Sequence, residues 1–196
     1  MPTTQTLSLN LITSTVREYD YQAQLNRLWD WTVSQYERGN RDPESYSLYN
    51  LSERTFLEEI GMKPGELVDF AEDYLRSGEP DFATVAMIQE VRRAYLEEMQ
   101  GGNPSSDVID PNSLPAPDSE AAGIPWLPRI VEKARAKLHG ELDPDVMYAC
   151  PNDRRFLKEH DVHPATFLRK LWETEEDPSA LVEWFSGRSK ARAHAA

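Results

Sequence analysis

The 196-residue chain carries 34 acidic against 21 basic side chains, a formal charge of −13. Such a surplus repels phosphate backbones and anionic lipid, so neither nucleic acid nor a membrane is expected as a partner. No apolar run approaches the ~18 residues of a membrane span and no basic stretch opens a secretory signal, so a cytoplasmic location is expected; the single cysteine, Cys150, excludes an internal disulfide.

In chain order, TLSLNLIT near the start alternates with period two, which fits one short N-terminal edge strand or disorder equally well. Thr15 to Glu18 reads as a capping box. Leu25, Leu28, Trp29, Thr32, Val33 and Tyr36 then form an amphipathic helical stripe that stops at Gly39. After a loop with Asp42-Pro43 comes a short helix around Phe56-Leu57, and a third helix starts at Pro64, where proline loses no intrahelical bond. That helix is expected to bury Leu67, Phe70, Ala71 and Tyr74. Asp81 opens a long helix to about Gln100, with Phe82, Val85, Ile88, Val91, Tyr95 and Met99 inward.

Residues 101–123 are rich in Pro, Gly and Ser and read as a linker or as a structured surface loop. Beyond them the pattern returns. Leu127, Ile130, Val131, Ala134 and Leu138 make a stripe that stops at Gly140, and Asp143-Pro144 marks the loop. A short helix carries Phe156-Leu157, Pro164 starts the next, with Phe167, Leu168, Leu171 and Trp172 inward, and a shorter last helix follows Pro178. The tail SKARAHAA is expected to fray.

Arg54, Phe56, Leu57, Glu59 and Pro64 align with Arg154, Phe156, Leu157, Glu159 and Pro164 at a constant offset of 100. Upstream the offset is 102, and the change falls in the loop between, where insertions cost least. A duplication explains this register better than chance likeness of two amphipathic segments. The expected fold is mainly α: two small helical repeats, residues 1–100 and 124–196, joined by 101–123 and packed face to face as a pseudo-dimer.

The second half carries a fuller pattern: Pro128, Arg129, Lys133, Arg135 and Ala136 on one helix, then Gly140, then Tyr148, Cys150, Pro151, Asp153, Phe156 and Leu157, then Asp161, and finally Glu183-Trp184. This combination resembles an uncharacterised bacterial family, the domain-of-unknown-function family numbered five-zero-six-nine. Asn152 and the His160-Asp161-Val162-His163 turn depart from its pattern, and the first half is similar to a degenerate copy without the Tyr-x-Cys-Pro element. The resemblance implies a helical fold and a cytosolic bacterial origin, and no chemistry.

From the residues themselves, Cys150 ahead of Pro151 would cap a short helix, where orphan amides favour a thiolate. With Asp153 and Tyr148 it forms the candidate catalytic set, although a lone cysteine also serves as a small apolar filler. Arg129, Lys133 and Arg154, with Arg27 and Arg54 in the first half, are candidates to hold a carboxylate or phosphate. Salt bridges to Glu132, Asp153, Asp30 and Glu53 would use the same arginines structurally. His160 and His163 with Asp161 lack the rest of a metal-site pattern, and no dinucleotide, P-loop, serine-hydrolase or calcium motif occurs, so neither metal nor cofactor is expected. The acidic runs, Glu173 to Asp177 among them, are expected on solvated faces. Two functions remain open: a small organic anion bound between the two repeats, with or without turnover, or a non-catalytic acidic adaptor or regulator that binds another protein.

Overall fold

The computed structural model describes residues 18–41, 49–175 and 177–195, the stretch 189–195 by its backbone alone. The alternating segment 6–13, Thr15 and the Asp42-Pro43 loop lie outside the described residues. Among those described, eight α-helices and one two-stranded hairpin make the protein mainly α. The helices are α1 Tyr21–Glu37, α2 Leu51–Glu59, α3 Pro64–Ser77, α4 Phe82–Glu98, α5 Leu127–His139, α6 Pro151–Glu159, α7 Pro164–Glu173 and α8 Pro178–Ala195. Between α4 and α5 lie a 3-10 turn at Pro111–Ser113 and the hairpin, β1 Glu120–Ala121 antiparallel to β2 Ile124–Pro125. No helix among the described residues is long and apolar enough to cross a membrane.

The helix starts follow from local chemistry. Asn50 accepts the backbone N–H of Glu53 while the Glu53 carboxylate accepts that of Asn50, a complete capping box for α2. Pro64, Pro151, Pro164 and Pro178 each open a helix, where the missing N–H is one that no intrahelical carbonyl would have received. Stops recur too. Asn40 N–H donates to Gln35 and Glu141 N–H to Ala136, past Gly39 and Gly140 in left-handed conformation. Met62 N–H donates to Leu57 and Val162 N–H to Leu157, around Gly61 and Asp161, both at positive φ.

α1 packs on α3 and α5 on α7, while α4 lies against α1, α5 and α7. One apolar cluster runs through all of them, from Leu25 and Leu28 through Phe70, Val85 and Ile88 to Leu127, Ile130, Phe167, Leu171 and Phe185. Segment 103–119 lies along the second half: Ile109 N–H donates to the Glu141 carbonyl, the Pro115 carbonyl receives the Arg129 guanidinium, and Leu114 is buried.

Three expectations change. The last helix, α8, has 18 residues against 17 in α4, and so is not the shorter of the two; the tail expected to fray is its final turns, rich in Ala, Lys and Arg, which favour helix. Met99, expected inward, is 58% exposed because it caps α4 where the chain turns away. Glu175, expected on a solvated face, instead accepts from the Tyr95 hydroxyl at 3.1 Å and lies 2.7 Å from His139 Nε2.

Candidate functional site

Of the residues singled out in the sequence, Lys133, Cys150 and Asp153 come together. Cys150 holds the N-cap position of α6 in extended backbone, but its thiol makes no capping hydrogen bond. Lys133 on α5 points its ammonium at Cys150 Sγ, 3.3 Å away, and pairs with the Asp153 carboxylate. Asp153 is 0% exposed, and its other oxygen accepts from Trp126 Nε1 at 3.0 Å. Trp126 itself sits at φ +70°, a left-handed conformation rare for a bulky side chain, fixed by its backbone N–H donating to the Ser119 carbonyl. Arg129 lies over the Trp126 ring and donates to the Pro115 carbonyl at 2.8 Å. Both oxygens of Asp153 are therefore occupied, and the thiol shares an ammonium that already has a carboxylate partner.

Tyr148 and Arg154 are drawn elsewhere. The Tyr148 hydroxyl, buried, donates to the Pro164 carbonyl at 2.8 Å. Burial, with the Asp153 charge adding to it, pushes this phenol well above its ordinary range, so it serves as a donor to a fixed acceptor. Arg154 reaches into the first half, where it donates to Asp73 Oδ2 at 3.0 Å and to the Glu79 carbonyl at 2.9 Å, and it also donates to the Ala149 carbonyl at 2.6 Å. Its carboxylate partner is Asp73 on α3, not the adjacent Asp153. Arg129 and Arg154 thus have separate partners and do not converge on Tyr148. Arg27 is exposed on α1, and Arg54 is half-buried on α2.

The two histidines have structural partners. His163 Nδ1 accepts the Ala165 N–H and caps α7, and burial lowers its pKa, with Asp81 opposing. His160 Nδ1 lies 2.8 Å from the Phe156 carbonyl, and its ring packs on Phe156 and Phe185. Among the described residues no group of three or more His, Cys, Asp or Glu is placed to hold a metal ion.

The sequence reading missed the most unusual polar group. Arg92 on α4 is 0% exposed. Its Nη1 donates to Gln100 Oε1 at 2.8 Å, and Gln100 in turn donates to the His139 carbonyl at 3.0 Å. Its Nε and Nη2 have no partner among the described residues. In guanidinium chemistry these two nitrogens share one edge of the plane, the edge that presents parallel N–H groups to a carboxylate or phosphate. The group fits only because two glycines flank it. A Cβ on Gly61 would stand 3.1 Å from Arg92 Cζ, and one on Gly140 would stand 2.7 Å from Nη2.

Arg92 lines a cavity of about 250 Å³ between the halves. Gly61, Met62, Lys63, Pro64 and Glu66 line it from one half; Lys137, Gly140 and Leu142 line it from the other. Lys137 donates to Glu66 Oε1 at 2.6 Å and to Gln89 Oε1 at 3.3 Å. Lys63 donates through Nζ to the Leu142 carbonyl at 2.6 Å and through its backbone N–H to Glu66 Oε2 at 2.9 Å. Burial pulls Arg92 down to about 10, with the Glu66 charge opposing, so it stays a cation at neutral pH. Burial also lowers Lys137, again with Glu66 as the counterweight. A signal was present: Gln89 and Arg92 fall in helical phase with Val85, Ile88 and Leu96, so α4 carries polar groups on a face its apolar residues mark as buried.

No curated protein and no solved structure matches the chain. The model of a family described as "Domain of unknown function (DUF5069)" matches residues 112–196, which takes in the hairpin and α5 to α8. The match covers one copy where two were expected, and α1 to α4, with Arg92 among them, lie outside it.

Proposed function

We propose that the protein binds a small organic anion in the cleft where its two halves meet, with Arg92 as the anchor. The single observation that carries the reading is a buried guanidinium beside a cavity, with Nε and Nη2 unpaired and packed against Gly61 and Gly140, so that an anion reaches them when those turns yield. An unpaired buried charge costs several kcal/mol, a cost that an anion seated on that edge would offset. In this reading Arg154 ties the halves together beside the cleft, and the Lys133–Asp153 pair braces α5 against α6.

The reading includes a duplicated origin for the two halves. It is supported by the shared helix starts at 51 and 151 and at 64 and 164, and by paired turns at Gly61 and Asp161. Arg92 lies against Gly61, and Arg188 of α8 donates to the Asp161 carbonyl. The adaptor alternative would use the groove between α4 and α7, lined by Phe82, Met87, Val91 and Trp184. The anion reading is preferred because a groove of that kind leaves the Arg92 edge unexplained.

A thermal-shift panel of organic carboxylates, sulfonates and phosphate esters against the full chain tests the proposal. At a ligand concentration ~100 times Kd the native state gains about 2.7 kcal/mol, a shift of several degrees. At least one anion is expected to give that shift, and Arg92→Met, checked for native circular dichroism, is expected to abolish it. An unchanged shift in Arg92→Met would refute the assignment.

A further inference from the structure

We propose that His163 is an acid-sensitive latch between the halves: its neutral ring holds the first turn of α7, and a proton on Nδ1 releases that turn and swings the ring towards Asp81. The latch belongs to a second cavity and stands independently of any ligand at Arg92.

Its construction is local. Pro164 opens α7 without an N–H, so the first amide that needs an acceptor is that of Ala165. His163 holds the N-cap in extended backbone and accepts that amide through Nδ1 at 3.2 Å. An accepting ring nitrogen carries no proton, so the hydrogen of the neutral imidazole sits on Nε2 and the tautomer is fixed. Protonation at Nδ1 converts the acceptor into a donor that faces another donor. The cap does not survive that change. The usual Ser, Thr and Asn caps carry no group that titrates near neutral pH, whereas a histidine cap does.

The surroundings offer the ring a second position. His163 and Pro164 line a cavity of about 500 Å³ together with Gly78, Glu79, Pro80 and Asp81, the turn from α3 to α4. Asp81 accepts the Thr84 N–H, and hydrogen bonds from Thr84 hold its carboxyl below the ordinary 3.8, so it remains an anion wherever a histidine titrates. The other charges around the cavity have partners already: Arg154 has Asp73, and Lys158 has Glu79. Arg188 of α8 donates to the carbonyl of Asp161, in the turn ahead of His163. Tyr148 donates to the Pro164 carbonyl and is pushed up by burial, so it stays a neutral phenol. Asp81 is the charge that acts on His163 against its burial.

Burial outweighs Asp81 and lowers His163 below its ordinary 6.5. Folding therefore favours the neutral ring. The stability this supplies is full above 6.5 and is lost as pH falls from there through the folded-state value. The turn that acid frees starts a helix packed on α4 of the first half and α5 of the second.

Histidine ¹⁵N NMR and amide hydrogen exchange on the full chain, from pH 7.5 to about pH 4.5, test the latch. At the upper end Nδ1 of His163 is expected to give the shift of an unprotonated acceptor, with the Ala165 amide protected. In acid the protection factor of that amide is expected to fall by about threefold to tenfold, the worth of one hydrogen bond. Asp69, with its carboxyl pushed up to about 6, changes overall stability in the same range, so the local signal and the difference between variants decide the matter. In His163→Asn the cap becomes an amide oxygen that takes no proton, and Ala165 is expected to stay protected throughout. Asp81→Asn keeps a capping oxygen on α4 and removes the charge, which is expected to lower the His163 midpoint.

A proton on Nδ1 at pH 7.5, Ala165 protection that ignores pH, or an equal acid loss in His163→Asn would each overturn the latch. A His163 midpoint unmoved or raised in Asp81→Asn would overturn Asp81 as the second position.

Discussion

Lys133 and Asp153 are both buried, with side-chain exposures of 5% and 0%, so each depends on the other for its missing solvent. Removing one partner leaves a charge with no compensation in the core, which costs about 3–5 kcal/mol, whereas replacing both with apolar groups of similar volume is close to neutral. In urea denaturation, Asp153→Leu and Lys133→Met are each expected to lose about that much, and the double variant less than either single. Additive losses would show that the pair is not coupled. At this scale the sequence was legible where neighbours in the chain decide the outcome. Cys150 takes the N-cap position of α6 because Pro151 follows it. The partners of Arg154 and Arg92 were not legible, because Asp73, Gly61 and Gly140 are brought to them only by the packing of distant helices.

Helices announce their starts and stops locally, as the prolines at 64, 164 and 178 and the glycines at 39 and 140 do here. The extent of α8 was misjudged because composition at a chain end says little about whether a helix continues through it. One element carries a built-in cost. Asp69 on α3 is largely buried, with Glu66, Glu72, Asp73 and Asp145 adding repulsion, and its carboxyl is pushed up to about 6. A folded-state value above the ordinary 3.8 means that folding favours the protonated form. The penalty is absent below the unfolded value, grows as pH rises towards 6, and is constant above it. Asp69→Asn is therefore expected to raise stability at pH 7.5 by about 1–2 kcal/mol, after allowance for partial solvent screening, with the gain gone near pH 4. Denaturant melts at the two pH values check it; a gain that persists in acid would contradict the assignment.

For the whole molecule, α4 is the decisive element because it packs on α1 of its own half and on α5 and α7 of the other. The apolar cluster is continuous through it, and the Arg154–Asp73 and Lys137–Glu66 pairs cross the same seam. The two halves are therefore expected to unfold in one transition. Tryptophan fluorescence of Trp29→Phe, which reports chiefly on the second half, should track helical circular dichroism at every urea concentration. Two separated transitions would show halves that fold independently. The helical class was visible in the periodicity; the seam was not, since an amphipathic stripe shows that a face is covered without saying by which helix.

The guanidinium of Arg92 fills the space that methyl groups on Gly61 and Gly140 would need. Substitution at these three positions is therefore not independent. Shortening the arginine relieves Gly140, whose Cβ would otherwise stand 2.7 Å from Nη2, whereas a Cβ at Gly61 would still meet Leu96 Cδ2 at 3.1 Å. Arg92 and Gly140 are therefore expected to be kept or lost together among descendants of this chain, with Gly61 constrained by Leu96 as well.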